Sequence, residues 1–272
     1  MKKFEKELSI IIVNYNGEKY LKDCLESVYK NCSSIDFEVV IIDNKSSDDS
    51  ILFIKKNYPE ITLIESEENL GFAKGNNKAV AQSVGEYVLL LNNDTILIDD
   101  ISPALNCIVK DDTVGVVGIK MLDADKKYVL SVGNFPSPFS LIKFSFFQKK
   151  EAPFMTGKFN DKKNIVVDWV TGSFLVTKRN YWDKVGGLDE DYFMYVEDVD
   201  FCKKIKKCDK KSVFIPAVSY IHYVGFNKRR EERLIKGYRI YASKHFNFIN
   251  SLIAKLCLTI NYAYKKITKS IR

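Results

Sequence analysis

The sequence predicts an α/β fold with a mostly parallel central sheet and helices on both faces. Through the first hundred residues, short continuous apolar runs alternate with stretches of helical spacing. The runs carry few polar interruptions, as expected of strands buried on both sides. None of them contains Pro, so each can pair inside a sheet. Strands joined through helices pair in parallel, and the helices cover the faces.

The elements follow in order. Leu8–Val13 is a first strand, and "GEKYLKDCLESVYKN" places Tyr20, Leu21, Cys24, Leu25 and Val28 on one helical face. "FEVVIID" is a strand, and "SSDDSILFIKKNY" opens a helix on capping-type Ser and Asp. "ITLIES" is a strand, "GNNKAVAQSV" a helix and "EYVLLLN" a strand. After Asp94 the regularity loosens: "DISPALNCIVKD" is helical and "VGVVGIKML" extended. Residues 135–164, rich in Phe and containing Pro, form a long insertion without clear period. "VVDWVTGSFLVTKRN" resumes strand character and "VEDVDFCKKIKK" helix.

Composition bounds the function. A chain of 272 residues, 46% hydrophobic and 28% charged, can bury a full core as one large domain or two closely packed halves. Glu5 and Glu7 interrupt the basic and apolar start, so "MKKFEKELSIIIVNYNG" is expected to be a strand rather than a secretion signal, with synthesis ending in the cytosol. No stretch approaches the ~18 apolar residues of a membrane span. Six scattered cysteines without a CxxC pair fit a reducing compartment and give no support for zinc. The net charge of +7 is uneven: Lys203, Lys204, Lys206, Lys207, Lys210 and Lys211 form one cluster. Lys228, Arg229, Arg230, Lys265, Lys266, Lys269 and Arg272 crowd the C-terminal part. Such an excess favours anionic partners, although a solvated basic face accounts for either group equally well. Aromatic residues are not interleaved with the basic clusters as a nucleic-acid module would require, so nucleic acid is not expected as a partner.

In a parallel sheet the carboxyl ends of the strands open onto the ligand crevice. Three strands here end in polar groups: Asn14 and Asn16, Asp43 and Asn44, and Asn92, Asn93 and Asp94. Each end alone is explained by turn chemistry; three at one edge suggest a site. There is no GxGxxG after the first strand, and "GFAKGNNK" lacks the spacing of a phosphate-binding GxxxxGK[ST] loop. A dinucleotide oxidoreductase and a nucleoside triphosphatase therefore lack their main device. Without such a loop, a carboxylate such as Asp94 can hold a diphosphate through a shared divalent ion.

"SIIIVNYNG", "VVIIDNKSSDDS", "NLGFAKGNN", "LLLNNDT", "WVTGSFLVTKR" and "GGLDEDYFMYVEDVDFC" occur in the order found in the family 2 glycosyltransferases of GT-A fold. The chain resembles in particular their bacterial rhamnosyltransferase-like branch, from about Leu8 to Gly225. The resemblance implies a Rossmann-like GT-A sheet and a nucleotide-sugar site. Asn14 and Tyr15 would contact the nucleotide, and Asp43 the uracil or thymine ring. Asn69, Gly71 and Asn76 would close over base and ribose. "LLLNNDT" matches the family's DxD element, with Asn92 and Asn93 facing ribose or diphosphate and Asp94 on Mg²⁺ or Mn²⁺. Asn92 replaces the first Asp, and an amide adds no negative charge, so Asp94 and substrate oxygens would carry more of the metal.

Glu197, Asp198 and Asp200 open a predicted helix, where carboxylates also serve simply as caps. The resemblance makes Asp198 the base that takes the acceptor hydroxyl proton and Glu197 the group that orients base or acceptor. A helix N-terminus lowers carboxylate basicity, so burial or like charges must offset it. Of the two histidines, His245 reads as an ordinary hydrogen-bonded residue, whereas His222 corresponds to the family's histidine near the leaving diphosphate and the metal. Trp169, Gly172 and Ser173 would floor the donor-sugar and acceptor pocket, with core packing an equal account of Trp169.

The implied organisation is a GT-A catalytic domain over 1–230, nucleotide-binding to about residue 100 and acceptor-binding from about 101, then a basic helical segment over 231–272. That tail suits an anionic bilayer surface, or else packs on the catalytic domain or on a second subunit in a homodimer. The expected activity is metal-dependent, inverting transfer of one sugar from a UDP- or dTDP-activated donor, dTDP-rhamnose included. The acceptor would be a cell-surface polysaccharide or lipid-linked glycan, met in the cytoplasm at the inner membrane face. A nucleotidyltransferase or a non-catalytic glycan-binding scaffold are the rivals.

Overall fold

The structure, a computed structural model, describes residues 4–161, 163–223 and 230–270. Lys228, Arg229 and Arg272 of the C-terminal basic group, and the Lys269 side chain, lie outside the described residues.

The first half alternates as its periods predict. Strands β1 (Lys6–Asn14), β2 (Phe37–Asp43), β3 (Thr62–Glu65) and β4 (Gly85–Asn92) are separated by helices α1 (Glu18–Asn31), α2 (Ser50–Asn57) and α3 (Gly71–Gln82). The short β5 (Thr95–Leu97), α4 (Ser102–Lys110) and β6 (Val114–Leu122) follow. Then come β7 (Tyr128–Val129), β8 (Val132–Gly133), two 3₁₀ turns (Phe139–Ile142 and Phe144–Phe147) and α5 (Ala152–Thr156). The remaining elements are β9 (Ile165–Val167), β10 (Trp169–Val170), β11 (Phe174–Lys178), α6 (Arg179–Val185), α7 (Glu197–Lys206), β12 (Lys211–His222), α8 (Arg230–His245) and α9 (Phe248–Ser270).

The main sheet runs β3-β2-β1-β4-β11-β6-β12-β5. Pairing is parallel across β3-β2-β1-β4 and between β6 and β12, and antiparallel where β11 enters beside β4. Successive strand residues face opposite sides, so an uninterrupted apolar strand feeds two cores. Ile10, Ile12, Leu89 and Leu91 meet Leu21, Leu25, Ile54 and Ile108 on one face. Ile11, Val88 and Leu90 meet Ala73, Val80, Trp182 and Phe201 on the other. Each such side chain contributes about 1.5–3 kcal/mol by leaving water.

Local chemistry sets the ends. Asp49, at the N-cap of α2, makes no side-chain cap bond; Asp48 does the capping, accepting from Ser50 N at 3.2 Å and Ser50 Oγ at 2.6 Å. The same carboxylate accepts from Glu18 N at 3.0 Å, supplying the cap that Gly17 lacks for α1. Residues 166–180, read from sequence as strand-like, break into β9, β10 and β11, and the last two, Arg179 and Asn180, instead open α6. Pro216 falls where the β12 register shifts, at a bulge that needs no ladder donor.

A third core joins the tail to the rest. Tyr238 and Tyr241 of α8, with Ala254 and Leu258 of α9, pack on Leu141, Phe147, Val196 and Val199. The C-terminal segment thus covers the insertion and the loop that leads into α7.

Candidate active site

The three polar strand ends are brought together by strand register, which sets Asn14 opposite Asp43 and Val13 opposite Asn92. Asn14 Nδ2 donates to Asp43 Oδ2 at 2.8 Å, and Asn93 Nδ2 donates to Asn14 Oδ1 at 2.7 Å. The remaining bonds of Asp43 come from Ser46, through N at 2.7 Å and Oγ at 2.6 Å. Asn14 and Asp43 are fully buried, and this network ties β1, β2 and β4 into one edge. Tyr15 and Asn69 stand exposed beside it. Asn69 Oδ1 accepts from Gly71 N at 3.0 Å, while Asn76 is buried and donates back to Phe72 O at 2.8 Å. Gly71 has φ +76° and lies against Phe193 O, where a Cβ has no room; Phe72 N donates to that oxygen at 2.7 Å.

Beyond Asn92 the chain turns, Thr95 Oγ1 donating to Asn92 O, and β5 pairs antiparallel with β12 so that His222 faces Thr95. That register sets His222 Nε2 3.1 Å from both Asp94 Oδ1 and Asn92 Nδ2. Nδ1 of the same ring is buried and has no partner among the described residues. Among the described residues no group of three or more His, Cys, Asp or Glu side chains could cage a metal. Asp94 and His222 nonetheless fit a divalent ion shared with substrate, since one carboxylate and one imidazole leave most positions to phosphate oxygens and water.

Asp94, His222 and Asn92 line a cleft of about 710 Å³ together with Trp169, Gly172, Ser173, Glu197 and Asp198. Glu197 and Asp198 occupy the first turn of α7, entered through two consecutive left-handed residues, Tyr195 (φ 72°) and Val196 (φ 78°). For a β-branched residue this conformation is strained, at a cost of about 1–3 kcal/mol. It is held from behind by α8, where Gly237 leaves space: a Cβ there would sit 2.8 Å from both Tyr195 O and Val196 Cγ2.

The carboxylates answer the basicity question. Burial, then the charge of Asp198, pushes the Glu197 carboxyl up to about 8, and its buried Oε2 has no partner among the described residues. Burial also raises Asp198, opposed by hydrogen bonds from Gly172 N at 3.0 Å and Val199 N at 2.8 Å. Desolvation therefore outweighs the helix N-terminus. Both carboxyls are raised and stand next to each other, so protons are lost from the pair rather than from either group alone. Asp200, identical in sequence appearance, is turned away: His245 Nε2 contacts it at 2.7 Å and Tyr192 donates to it at 3.3 Å.

Trp169 both lines the cleft and packs, its Nε1 donating to Asn134 O at 3.0 Å. Gly172 passes under the Phe72 ring, 3.0 Å from where its Cβ would lie. Ser173 Oγ pairs with Tyr220 OH at 2.6 Å. Sequence reading missed Phe72, Thr171, Leu234 and Tyr238, and counted Arg230 only as tail charge, yet all five line the cleft. The signal for α8 was its apolar face, which cannot be assigned to a cleft without tertiary contacts.

A family model described as Glycosyl transferase family 2 matches residues 9–179. The rhamnosyltransferase WbbL of Escherichia coli (strain K12) is 29% identical over 253 residues, 88% of this chain and 91% of that protein. The N-acetylglucosaminyl-diphospho-decaprenol L-rhamnosyltransferase of Mycobacterium tuberculosis is 25% identical over 82% of this chain and 78% of its own. Among solved structures, GalNAc-T7 with UDP, GalNAc and Mn²⁺ superposes with a TM-score of 0.67 at 17% identity. That match covers 86% of this chain and 47% of the GalNAc-T7 chain, a likeness of fold.

Proposed function

The chain belongs to glycosyl transferase family 2, and from that membership we propose an inverting, divalent-metal-assisted transfer of one sugar from a UDP- or dTDP-activated donor, dTDP-rhamnose included. The acceptor in this reading is a cell-surface polysaccharide or lipid-linked glycan. The rhamnosyltransferases among the relatives support that class of reaction. One observation carries the reading: the Asp94–His222 pair and the Glu197–Asp198 pair line the same cleft.

In the proposed mechanism Asp198, aimed by the Gly172 and Val199 amides, accepts the proton of the attacking acceptor hydroxyl. Protonated Glu197 donates a hydrogen bond to acceptor or base, using the oxygen that has no partner among the described residues. Attack on the anomeric carbon from the side opposite the leaving diphosphate inverts the centre. Mg²⁺ or Mn²⁺, held by Asp94 and His222, would neutralise charge on that diphosphate; the GalNAc-T7 structure contains Mn²⁺. Asn92 and Asn93 are assigned to ribose and diphosphate, and Asn14, Tyr15, Asp43, Asn69, Gly71 and Asn76 to base and ribose. Asp43 would exchange one Ser46 bond for the ring N–H. Trp169, Gly172 and Ser173 floor the sugar. Residues to about 100 then bind nucleotide, those from about 101 to 230 acceptor, and 231–272 hold a peripheral position at the inner membrane face.

The test supplies the purified chain with UDP-, dTDP- and GDP-sugars, Mn²⁺ or Mg²⁺, and glycan-lipid extracts. Release of UDP or dTDP is expected. Pyrophosphate as the product would mark a nucleotidyltransferase, and turnover unchanged in Asp94→Ala and Asp198→Ala would remove the proposed chemistry.

A further inference from the structure

Helix α9 is apolar on two opposite sides, and only one is used. Ala254, Cys257 and Leu258 are buried against α8 and the first 3₁₀ turn, and Asn261 Nδ2 donates to Leu141 O at 3.0 Å. Phe248, Ile249, Leu252, Leu256 and Ile260 are 46–85% exposed. At about 100° per residue these five fall within roughly 120° of arc, on the side facing away from Ala254 and Leu258. The turn on which α9 rests leaves Phe139 and Ile142 exposed as well, and the next turn leaves Phe146 exposed. The helix and the two 3₁₀ turns thus present eight large apolar side chains to solvent, an arrangement that marks an interaction surface.

Charge decides what covers it. Residues 135–150 contain Lys143, Lys149 and Lys150, and residues 248–270 contain Lys255, Lys265, Lys266 and Lys269; neither stretch has an Asp or Glu. These seven lysines equal the formal net charge of +7, so the rest of the chain sums to zero. Among the described residues, Glu151 lies 3.8 Å from Lys149 and Glu231 3.8 Å from Lys265. Lys150 stands 5.7 Å over the exposed Phe146 ring, cation and apolar group side by side. By contrast, the other basic cluster is spent internally: Lys206, Lys210 and Lys211 pair with Asp168, Asp112 and Asp111.

We propose that the outer face of α9 and the 135–150 insertion together form a docking surface for an anionic lipid bilayer, the aliphatic and aromatic side chains entering the interface and the exposed Lys143, Lys150 and Lys255 meeting headgroup phosphates. A second copy is disfavoured as the cover, because a two-fold contact would set one lysine-rich face against another. Among the described residues no helix is long and apolar enough to cross a membrane, which fits a helix lying in the interface plane. This specifies the lipid-facing surface behind the peripheral location given above, and it rests on the surface rather than on the transfer chemistry.

The test is co-sedimentation of the full chain with phosphatidylglycerol-rich vesicles and with pure phosphatidylcholine vesicles. Binding to the anionic vesicles, weakened by salt, is expected. Leu252→Asp with Leu256→Asp, both exposed and outside the core, should lower it at least ten-fold. Lys143→Gln with Lys150→Gln should lower it by about five-fold per lysine. Nucleoside diphosphate release in vesicle-free solution should be unchanged in both variants, so a failure of the transfer reading appears there and not in the binding data. Absence of binding to anionic vesicles overturns the proposal, as does equal binding by the Asp variant. So does a concentration-dependent dimer that the Asp variant abolishes while no vesicle binding is seen.

Discussion

Two carboxylate sites in this molecule each hold a buried acid, Asp43 and Glu197, and are opposite in character. At the ends of β1, β2 and β4, Asp43 accepts hydrogen bonds from Asn14 and Ser46 on both oxygens, and the left-handed residues beside it, Asn16 (φ 51°) and Lys45 (φ 65°), are not β-branched. At the start of α7, Glu197 has an oxygen without a partner among the described residues, is raised by burial and by the charge of Asp198, and follows two strained residues. The first arrangement lowers the free energy of the fold and fixes the edge of the sheet. The second raises it, and groups left unsatisfied by the fold are free to be satisfied by a reacting substrate.

The sharpest break of that contrast is paired substitution. Asp198→Asn should cut turnover by ~10²- to 10⁴-fold while urea unfolding shows no loss of stability. Asp43→Ala should do the reverse in stability, removing the acceptor of one Asn14 Nδ2 bond and of two Ser46 donors at a cost of about 3 kcal/mol or more. If Asp43→Ala proves neutral to folding, the two sites do not differ as described.

pH separates them next. Glu197 titrates near 4.5 when unfolded and at about 8 in the fold, so the folded state binds the extra proton between those values. Its contribution is fully present below the unfolded value and is lost as pH rises toward 8, by about 4 kcal/mol at 1.36 kcal/mol per unit. Glu197→Gln should flatten that decline between pH 5 and 8 in denaturant titrations. An unchanged slope would contradict the upward shift of Glu197.

The smallest effect concerns the strained entry to α7. Gly237→Ala presses on Tyr195 and Val196 and should lower kcat about 10-fold with little change in donor KM. Val196→Gly in the same chain accepts the left-handed conformation without strain and should restore part of the loss. No rescue would mean that α8 does not position the carboxylates.

Much of this was legible in the sequence, for identifiable reasons. β1 to β4 and α1 to α3 announce themselves because burial on two faces and helical spacing are local patterns. Asn14, Asp43 and Asn92 could be grouped because parallel strands must share an edge. Asp200 could not be told from Glu197 and Asp198, since only the packing of α8 shows that it faces His245. The left-handed Val196 was hidden for the opposite reason: local preference argues against it, and tertiary contacts override that preference. Leu234 and Tyr238 belong to a helix whose apolar face gives no hint of which surface it meets.

The pairing of β5 with β12 has a further consequence. Asn92 and His222 are 130 residues apart, and the imidazole meets the Asn-Asn-Asp turn through the register of β12, set by a three-residue ladder with β5 on one side, by β6 on the other and by Tyr223 N donating to Asp94 O at 2.9 Å. Removing one amino acid between Pro216 and His222 would point the ring to the opposite face while leaving hydrophobicity and length almost unaltered. Drift in loop length, tolerated over most of a protein surface, has no neutral route here, so distant descendants should vary freely around this segment and hardly at all within it.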